Sequence, residues 1–361
     1  MLRITEYIRQ TLEGKGAEAF KGTILIWNLT KACNLYCKHC YSSAKQKEDG
    51  ELSLEEVVNL IHRLPSVGVR FVILSGGEPL LREDIFQIAY LLRKRGIRTY
   101  LSTNGLLVKE HIKEIKENFD YVGISIDGEP QVHDLFRGRR GAFYESLEAI
   151  KECLGKGIRV GLRFTLTPIT AGSLPFIFEL VEREAIPKVY ISHLVYSGRG
   201  KRLSDLEKED YKRWVKFILD RSFEYVEKNI PIDVVTGNSE ADAVFLYKEF
   251  TKRYPELAES LYQRLLLWGG NQAGVRLMNI DSTGNVKPDP FFFHSLGNVK
   301  DRDVVEIWQG NGLLSFLRER PRKLEGKCGH CPFVDVCNGG SRARAYALFE
   351  NYRMEDPACY L

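Results

Sequence analysis

The sequence predicts an α/β fold in which six parallel strands form an incomplete barrel. From residue 21 to about 196, short apolar runs alternate with longer amphipathic segments, which is the pattern of repeated strand–helix units around a parallel sheet. Some runs, such as Phe71 to Leu74, are continuously apolar, and this suits strands that are buried on both faces. Because a closed barrel of this kind has eight units, six units predict a partial, TIM-like (β/α)6 barrel.

Six segments are the candidate strands, in the order TILIWNL, FVILSG, TYLSTN, YVGISID, VGLRFTLT and VYISHLVY. After the first of them, Ser53 and Glu56 form an S-x-x-E capping box, and apolar residues then recur at helical spacing as far as Leu64. This stretch is therefore predicted to be a helix. Looser helical patterns cover residues 83–95, 108–118, 142–154 and 174–184.

Changes in pattern divide the chain into an N-terminal segment (1–20), the partial barrel (21–200), a helical connecting region (201–274) and a C-terminal domain (275–361). In the connecting region, apolar residues between 206 and 219 fall roughly on one helical stripe. The C-terminal domain begins with VRLMNIDSTGNVKPDP, which predicts a hairpin with a glycine-containing turn.

The composition is that of a globular protein with nearly balanced charge. The 361 residues are 44% hydrophobic and 28% charged, and 52 basic against 48 acidic residues give a net charge of +4. No apolar run approaches the roughly 20 residues that cross a bilayer, and no long basic run indicates a nucleic-acid partner. Because the N-terminus lacks the pattern of a signal peptide, we expect a cytoplasmic protein whose eight cysteines serve metal or redox chemistry.

Three of the cysteines, Cys33, Cys37 and Cys40, lie in the loop after the first strand, where barrel proteins place their chemistry. A [4Fe-4S] cluster normally takes four thiolates, so three would leave one iron open to a substrate or cofactor. Structural zinc with His39 as fourth ligand is the alternative. His39 adjoins Cys40, however, whereas the ligands of a tetrahedral site are generally separated by two or more residues, so the spacing favours the cluster.

The C-x3-C-x2-C spacing on the first loop of a six-stranded array resembles the radical S-adenosylmethionine (SAM) superfamily. This resemblance implies that SAM chelates the open iron and is split by one electron into methionine and a 5′-deoxyadenosyl radical, which takes hydrogen from the substrate. The segments SGGEP, STNG, GISIDG and HDLFRG match the superfamily at the expected strand ends. The three cysteines are the implied catalytic residues. The implied SAM-binding residues are His39, Gly76, Gly77, Glu78, Pro79, Ser102, Asn104, Ser125, Asp127 and Arg137.

The C-terminal segment contains a complete set of four thiolates, Cys328, Cys331, Cys337 and Cys359. A structural zinc site with four cysteine ligands is the competing interpretation. The segment resembles the SPASM extension of radical SAM enzymes, which carries auxiliary [4Fe-4S] clusters. Two cysteines of the full pattern are missing, near Asp289 and at Ser341, so the resemblance implies one auxiliary cluster here and two clusters in all. The remaining cysteine, Cys153, lies in a helical pattern and is expected to be a buried, inert thiol.

Further stretches, DVVTGNSEADAV, WGGNQAGVRLMNID and the terminal EDPACYL, resemble the NirJ family of radical SAM proteins in heme d1 biosynthesis. The resemblance implies an iron tetrapyrrole substrate, 12,18-didecarboxysiroheme, from which propionate side chains are removed. It also implies a low-potential electron donor, ferredoxin or flavodoxin. Candidate contacts to the carboxylates and iron of the macrocycle are Arg163, Arg199, Arg276, His193 and His294.

Other functions stay open at this point. A related radical SAM enzyme of alternative heme synthesis acts on a siroheme- or coproheme-type tetrapyrrole, and peptide-modifying SPASM enzymes share the cluster motifs. The alternatives that are not enzymes are an iron-sulfur electron carrier and a tetrapyrrole carrier. A carrier has no need of the strand-end segments such as SGGEP, so consumption of SAM by the reduced protein separates the two classes.

Overall fold

The computed structural model describes residues 1–16 and 21–361. In these ranges the strands are β1 (Leu2–Arg3), β2 (Thr23–Asn28), β3 (Val69–Ser75), β4 (Arg98–Thr103), β5 (Tyr121–Ser125), β6 (Val160–Leu166), β7 (Lys188–His193), β8 (Asp233–Gly237), β9 (Leu277–Ile280), β10 (Asn285–Lys287) and β11 (Gly297–Asn298). The helices are α1 (Ile4–Leu12), α2 (Leu54–Arg63), α3 (Ile85–Lys94), α4 (Ile112–Asn118), α5 (Pro130–Arg137), α6 (Ala142–Gly155), α7 (Leu174–Arg183), α8 (Lys208–Glu227), α9 (Ala241–Arg253), α10 (Ala258–Trp268), α11 (Val304–Gln309), α12 (Gly312–Arg318), α13 (Val334–Cys337) and α14 (Arg342–Phe349).

The six predicted strands are β2 to β7, and each pairs in parallel with the next, which confirms the predicted array. Val72 and Leu74 on β3 are fully buried, whereas Phe71 and Ile73 on the other face are only half-buried and Ile73 lines the cavity, so the expected burial on both faces holds for one face only. The parallel array continues at both edges, because β8 pairs with β7 and β9 pairs with β2. The fold is the predicted partial α/β barrel, and its parallel sheet is wider than six strands.

Strand β8 corrects the expectation that residues 201–274 are purely helical. It has five residues, DVVTG, and is too short to show a periodic signal. Pairing fixes it in place, since it lies parallel to β7 and antiparallel to β1, with Leu2 opposite Thr236. The predicted N-terminal segment thus adds an edge strand to the sheet. Residues 17–20 of that segment lie outside the described residues.

The helices largely follow the predicted patterns. Ser53 caps α2, since its hydroxyl accepts the Glu56 N–H at 3.2 Å and the Glu56 carboxylate accepts the Ser53 N–H at 2.7 Å, which confirms the capping box. Helices α3, α4, α6 and α7 confirm the four looser patterns. The sequence pattern missed α5, which has only eight residues and starts with Pro130. None of the helices in the described ranges combines the length and hydrophobicity required for a transmembrane span.

The predicted hairpin after residue 275 is confirmed by the antiparallel pairing of β9 and β10, in which Ile280 faces Val286. The turn depends on Asp281, whose carboxylate accepts the N–H groups of Thr283 and Asn285, and on Gly284, which has a φ of 94°. Because β9 also pairs with β2, this hairpin attaches the C-terminal domain to the strand that precedes the first three cysteines.

Candidate active site

The carboxyl ends of the parallel strands surround a cavity inside the partial barrel. The sequence-predicted residues that line it are Cys33, Cys37, His39, Cys40, Gly76, Gly77, Ser102, Asn104, Ser125, Arg137, Arg163, His193 and Arg199. Within the part of the chain that the structure describes, the predicted residues that do not line it are Glu78, Pro79, Asp127, Arg276, His294 and the four C-terminal cysteines. The three N-terminal cysteines and the residues implied for SAM binding therefore share one cavity to a large extent.

The cysteine loop (residues 29–45) is held on one side by the segment after β3. The N–H of Gly77 donates to the Thr30 carbonyl at 2.7 Å, and the N–H of Glu78 donates to the Ala32 carbonyl at 2.8 Å. A Cβ atom on Gly77 would lie 2.1 Å from the Ala32 oxygen, so a side chain at this position would prevent the contact. The glycines of SGGEP thus let the segment after β3 pack directly against the backbone of the cysteine loop, and this contact positions the cysteines in the cavity.

Arg199 holds the cysteine loop from the other side. Its Nε and Nη1 donate to the carbonyls of Cys37 and Ala44 at 2.8 and 2.9 Å, and its backbone N–H donates to the Cys40 carbonyl at 2.9 Å. The guanidinium also lies 4.0 Å from the centre of the Tyr36 ring. These contacts give Arg199 a clear part in fixing the loop, and its predicted contact with substrate stays a prediction.

The surroundings of the three thiols of the loop fit their role as ligands of iron. Burial raises the pKa of Cys33 to about 12, and the neighbouring Cys37 and Cys40 add to the shift. A thiol with so high a pKa stays protonated unless positive charge is brought to it, which iron ions do. The Ala44 N–H donates to the Cys40 sulfur at 3.4 Å, as N–H groups do around cluster thiolates. The donor set therefore fits an iron-sulfur cluster.

His39 is packed rather than extended toward the thiols. Its ring stacks on Phe136 with 4.4 Å between centroids and 1° between planes. Burial, followed by the charges of Arg137 and Arg199, holds the pKa of His39 well below its usual range, so the ring is neutral. The described residues contain no group of three or more His, Cys, Asp or Glu side chains positioned to hold a single metal ion.

Glu78 is buried outside the cavity lining and stabilises the wall of the cavity by hydrogen bonds. Its carboxylate accepts hydrogen bonds from the Thr103 hydroxyl at 2.8 Å, the Asn104 N–H at 2.9 Å and the Leu80 N–H at 3.2 Å. Burial raises the pKa of Glu78 to about 7, although these donors oppose the shift. The carboxylate thus joins the end of β4 to the segment after β3. Its implied contact with the amine of SAM stays a prediction.

Asp127 and Arg137 form a buried ion pair. The Arg137 Nε donates to an Asp127 carboxylate oxygen at 2.6 Å, and the Thr165 N–H donates to the other oxygen at 2.7 Å. A second guanidinium nitrogen, Nη1, lies 3.7 Å from the Cys37 sulfur. Asp127 therefore fixes the orientation of Arg137 at the cavity wall, beside a cysteine of the loop.

The C-terminal thiols form a second group, close to one another. Burial raises the pKa of Cys337 to about 12, and Cys328, Cys331 and Cys359 all contribute to the shift. The Gly339 N–H donates to the Cys337 sulfur at 3.4 Å. Four neighbouring thiols with an N–H donor fit a cluster that is fully ligated by protein.

Arg344, held by an ion pair within the C-terminal segment, connects this second group to the barrel. The Arg344 Nε and Nη2 donate to the two carboxylate oxygens of Asp356 at 2.8 and 2.7 Å, and Nη1 donates to the Leu194 carbonyl, just after β7, at 2.9 Å. The Asn271 N–H donates to the Cys337 carbonyl at 3.2 Å, and Asn271 lines the cavity. Backbone contacts thus lead from the second cysteine group to the cavity wall.

The two positions that lack a cysteine of the full SPASM pattern have other uses. Asp289 is 6% exposed and lines the cavity, and its carboxylate accepts the Phe291 N–H at 2.8 Å. Burial raises the pKa of Asp289 to about 7. Ser341 caps α14 by accepting the Arg344 N–H at 3.3 Å.

The histidines predicted to contact the substrate differ in position. The His193 Nε2 lies 2.9 Å from the carboxylate of Asp242, which also accepts the Tyr360 hydroxyl at 2.7 Å, and the histidine is only 1% exposed. His294 is exposed and contacts Tyr352 at 3.0 Å, away from the cavity lining. The structure brings His193 to the cavity wall and leaves His294 outside it.

Sequence reasoning missed several residues of the cavity wall. Tyr41 and Tyr190 line it, as does Glu240, which is 7% exposed and has one carboxylate oxygen without a hydrogen-bond partner among the described residues. No motif marks these residues. Their relevance comes from strand register and loop packing, which a single sequence does not display.

Comparison with known proteins places this geometry in a family. Residues 27–180 match the radical SAM superfamily and residues 272–332 match the SPASM iron-sulfur cluster-binding domain. The chain is 40% identical to the Fe-coproporphyrin III synthase of Methanosarcina barkeri, over 94% of this chain and 88% of that protein. It is also 40% identical to the pre-heme d1 synthase of Dinoroseobacter shibae, over 100% of this chain and 92% of that protein.

A solved structure shows the same fold at low sequence identity. SuiB of Streptococcus suis, bound to SAM, has a TM-score of 0.73 at 17% identity, covering 94% of this chain and 78% of that one. The cysteine loop, the strand-end cavity and the two full-length relatives agree, and the chain belongs to the radical SAM superfamily as a radical SAM enzyme with a SPASM domain.

Proposed function

We propose that this chain acts in heme d1 biosynthesis and removes propionate side chains from 12,18-didecarboxysiroheme. The observation that carries the proposal is the 40% identity with a pre-heme d1 synthase over the full length of the chain. The geometry supports it, because the cysteine loop opens on a cavity that also contains arginine and aromatic side chains. Such side chains are suited to a flat, carboxylated macrocycle.

In this proposal the chain holds two [4Fe-4S] clusters, one on the cysteine loop and one on the four C-terminal cysteines. The N-terminal cluster with SAM supplies a 5′-deoxyadenosyl radical when both are bound. Ser102, Asn104, Ser125 and Arg137 line the cavity and bind SAM, and Asp127 keeps Arg137 in place. Electrons come from ferredoxin or flavodoxin, and the reduced thiols suit a cytoplasmic enzyme.

A second candidate is favoured by the equal identity with an Fe-coproporphyrin III synthase. The two functions differ in the side chains that leave the macrocycle. An enzyme that forms coproporphyrin from this pigment keeps the propionates and removes acetates, whereas the proposed function removes propionates.

Anaerobic incubation with 12,18-didecarboxysiroheme, SAM and a reductant, followed by mass analysis, separates the candidates. Loss of two propionates supports the proposal. Loss of acetates with every propionate retained assigns the second function. An unchanged pigment, while SAM is consumed, contradicts both and returns attention to peptide substrates.

A further inference from the structure

Three arginines line the cavity, and of these the guanidinium of Arg163 alone has neither a hydrogen bond nor an ion pair within residues 1–16 and 21–361. Arg137 is paired with Asp127 at 2.5 Å, and Arg199 donates to carbonyls of the cysteine loop. Among the residues that the structure describes, the Arg163 guanidinium has no carboxylate within ion-pair distance and no hydrogen bond. A half-buried cation of this kind is costly unless an anion completes it.

The strands fix the position of Arg163. It lies on β6, with Ser125 of β5 and Tyr190 of β7 as its neighbours in register. Leu162 and Phe164 are buried at 0% and 1% exposure, so strand alternation turns Arg163 to the cavity side, where it is part of the lining. The site is thus built on rigid strands rather than on a loop.

Two glycines make room for this arrangement. A Cβ atom on Gly123 of β5 would lie 2.8 Å from the Arg163 Cδ, and one on Gly237 of β8 would lie 2.2 Å from the Tyr190 hydroxyl. Tyr190 in turn carries the guanidinium over its ring, 4.9 Å from the centroid. The glycines let both side chains lie across the sheet, with the guanidinium stacked in one orientation.

Arg163 also lies within electrostatic range of the cysteine loop. Tyr41 lies within electrostatic range of both Cys40 and Arg163. Glu240 and Asp289 also line the cavity and are acidic, so among these three residues a bound carboxylate finds its cationic partner at Arg163. A planar guanidinium presents parallel N–H donors that match the two oxygens of a carboxylate.

We propose that Arg163, stacked on Tyr190, binds a carboxylate side chain of the tetrapyrrole and so presents the adjoining carbons to the radical. The inference rests on the proposed function and names the residue that orients its substrate. SAM also carries a carboxylate, so the test must separate the two sources of the same chemistry.

The test measures binding of 12,18-didecarboxysiroheme by absorbance titration, and binding of SAM by the change in the electron paramagnetic resonance (EPR) signal, in anaerobic holoenzyme. Arg163→Met is expected to weaken tetrapyrrole binding about 10- to 100-fold, the loss of a charge-assisted pair of hydrogen bonds. Arg163→Lys keeps the positive charge but lacks the paired N–H donors of a guanidinium, so its tetrapyrrole affinity is expected to lie between those of the wild type and Arg163→Met. Arg159→Met is the control, since Arg159 precedes the same strand and is exposed. SAM affinity and iron content are expected to stay at the wild-type level in all three.

A methyl-ester derivative of the tetrapyrrole gives an independent test, because it changes the carboxylate of the ligand and not the protein. The wild type is expected to bind the ester more weakly than the acid, whereas Arg163→Met is expected to bind both alike. Equal tetrapyrrole affinity in wild type and Arg163→Met overturns the inference and leaves the proposed function standing. A loss confined to SAM affinity also overturns it. Failure of the wild type to bind the tetrapyrrole at all overturns both.

Discussion

The two cysteine groups of this protein differ in number, access and support. The first has three cysteines on a loop at the end of β2, and all three line the cavity. The second has four cysteines in the C-terminal domain, and none lines the cavity in the described part of the chain. Three thiolates leave room for a ligand on the metal, whereas four complete its coordination. In this protein the group that faces the cavity has three cysteines and the group away from it has four, and the position of each loop on the sheet determines its access.

The contacts that position the two cysteine groups also differ. The cysteine loop is positioned by hydrogen bonds to its backbone, from Gly77, Glu78 and Arg199. The C-terminal group is fixed by a fully buried ion pair between Arg344 and Asp356, which also reaches the Leu194 carbonyl. Backbone hydrogen bonds leave the thiols free to face the cavity. In the C-terminal group, Asp356 fixes Arg344, and Arg344 in turn hydrogen-bonds to the barrel at the Leu194 carbonyl.

The largest effect is expected from removing one cysteine group or the other. Replacing Cys33, Cys37 and Cys40 by alanine is expected to reduce SAM cleavage to background, and iron from about eight to about four atoms per chain. Cys337→Ala is expected to lose iron as well but to retain SAM cleavage. Iron assay and product analysis of anaerobic protein check both. Retention of SAM cleavage by the triple variant would contradict the difference in role.

The supporting arginines offer a sharper comparison. Arg344→Met leaves Asp356 buried without its partner and is expected to lower the free energy of unfolding by about 3–5 kcal/mol. Arg199→Met removes two hydrogen bonds to carbonyls and is expected to cost about 1–3 kcal/mol, and to lower iron occupancy mainly in the cysteine loop. Thermal unfolding and iron content measure the two effects. Equal losses of stability with equal iron content would remove the distinction.

The smallest effect concerns Asp289, which stands where the full SPASM pattern has a cysteine. Because burial raises its pKa to about 7, the folded protein keeps a proton that the unfolded chain has already lost above about pH 4. Stability from this group therefore decreases between about pH 4 and 7 and is constant above. Asp289→Asn is expected to unfold at a higher temperature than wild type at pH 8, with a smaller difference at pH 5.

Glu110→Gln serves as the control for this pH comparison, since Glu110 is exposed. Its unfolding temperature is expected to follow that of the wild type at both pH values. A difference between Asp289→Asn and wild type that does not change with pH would exclude titration of Asp289 as its cause.

Much of the fold could be predicted because local patterns agree with it. The capping box at Ser53 marks the start of α2 directly and is confirmed. The apolar run at Phe71 to Leu74 predicted the strand correctly but overstated its burial, because Phe71 and Ile73 are only half-buried. The cysteine spacing was informative for the same reason, since it is a local pattern that favours an iron-sulfur cluster over structural zinc. Strand β8 escaped because DVVTG is too short to show a period, and only pairing with β7 defines it.

The cavity wall was harder to predict, because it depends on register. Arg163 was one of several candidate arginines in the sequence, and its placement in the cavity follows only from its neighbours Gly123 and Tyr190 on the two adjoining strands. Arg199 was predicted only as a contact to substrate. Its hydrogen bonds to the cysteine loop were not foreseen, because a sequence separation of more than 150 residues conceals them. Long-range contacts of this kind leave no periodic signal.

The most direct measurement is EPR spectroscopy of the reduced wild-type protein with and without SAM. The variant lacking Cys33, Cys37 and Cys40 supplies the signal of the C-terminal cluster alone, for subtraction. Addition of SAM is expected to change the remaining, N-terminal signal and to leave the variant's signal unaltered. An N-terminal signal that is identical with and without SAM would contradict an open iron on the cysteine loop.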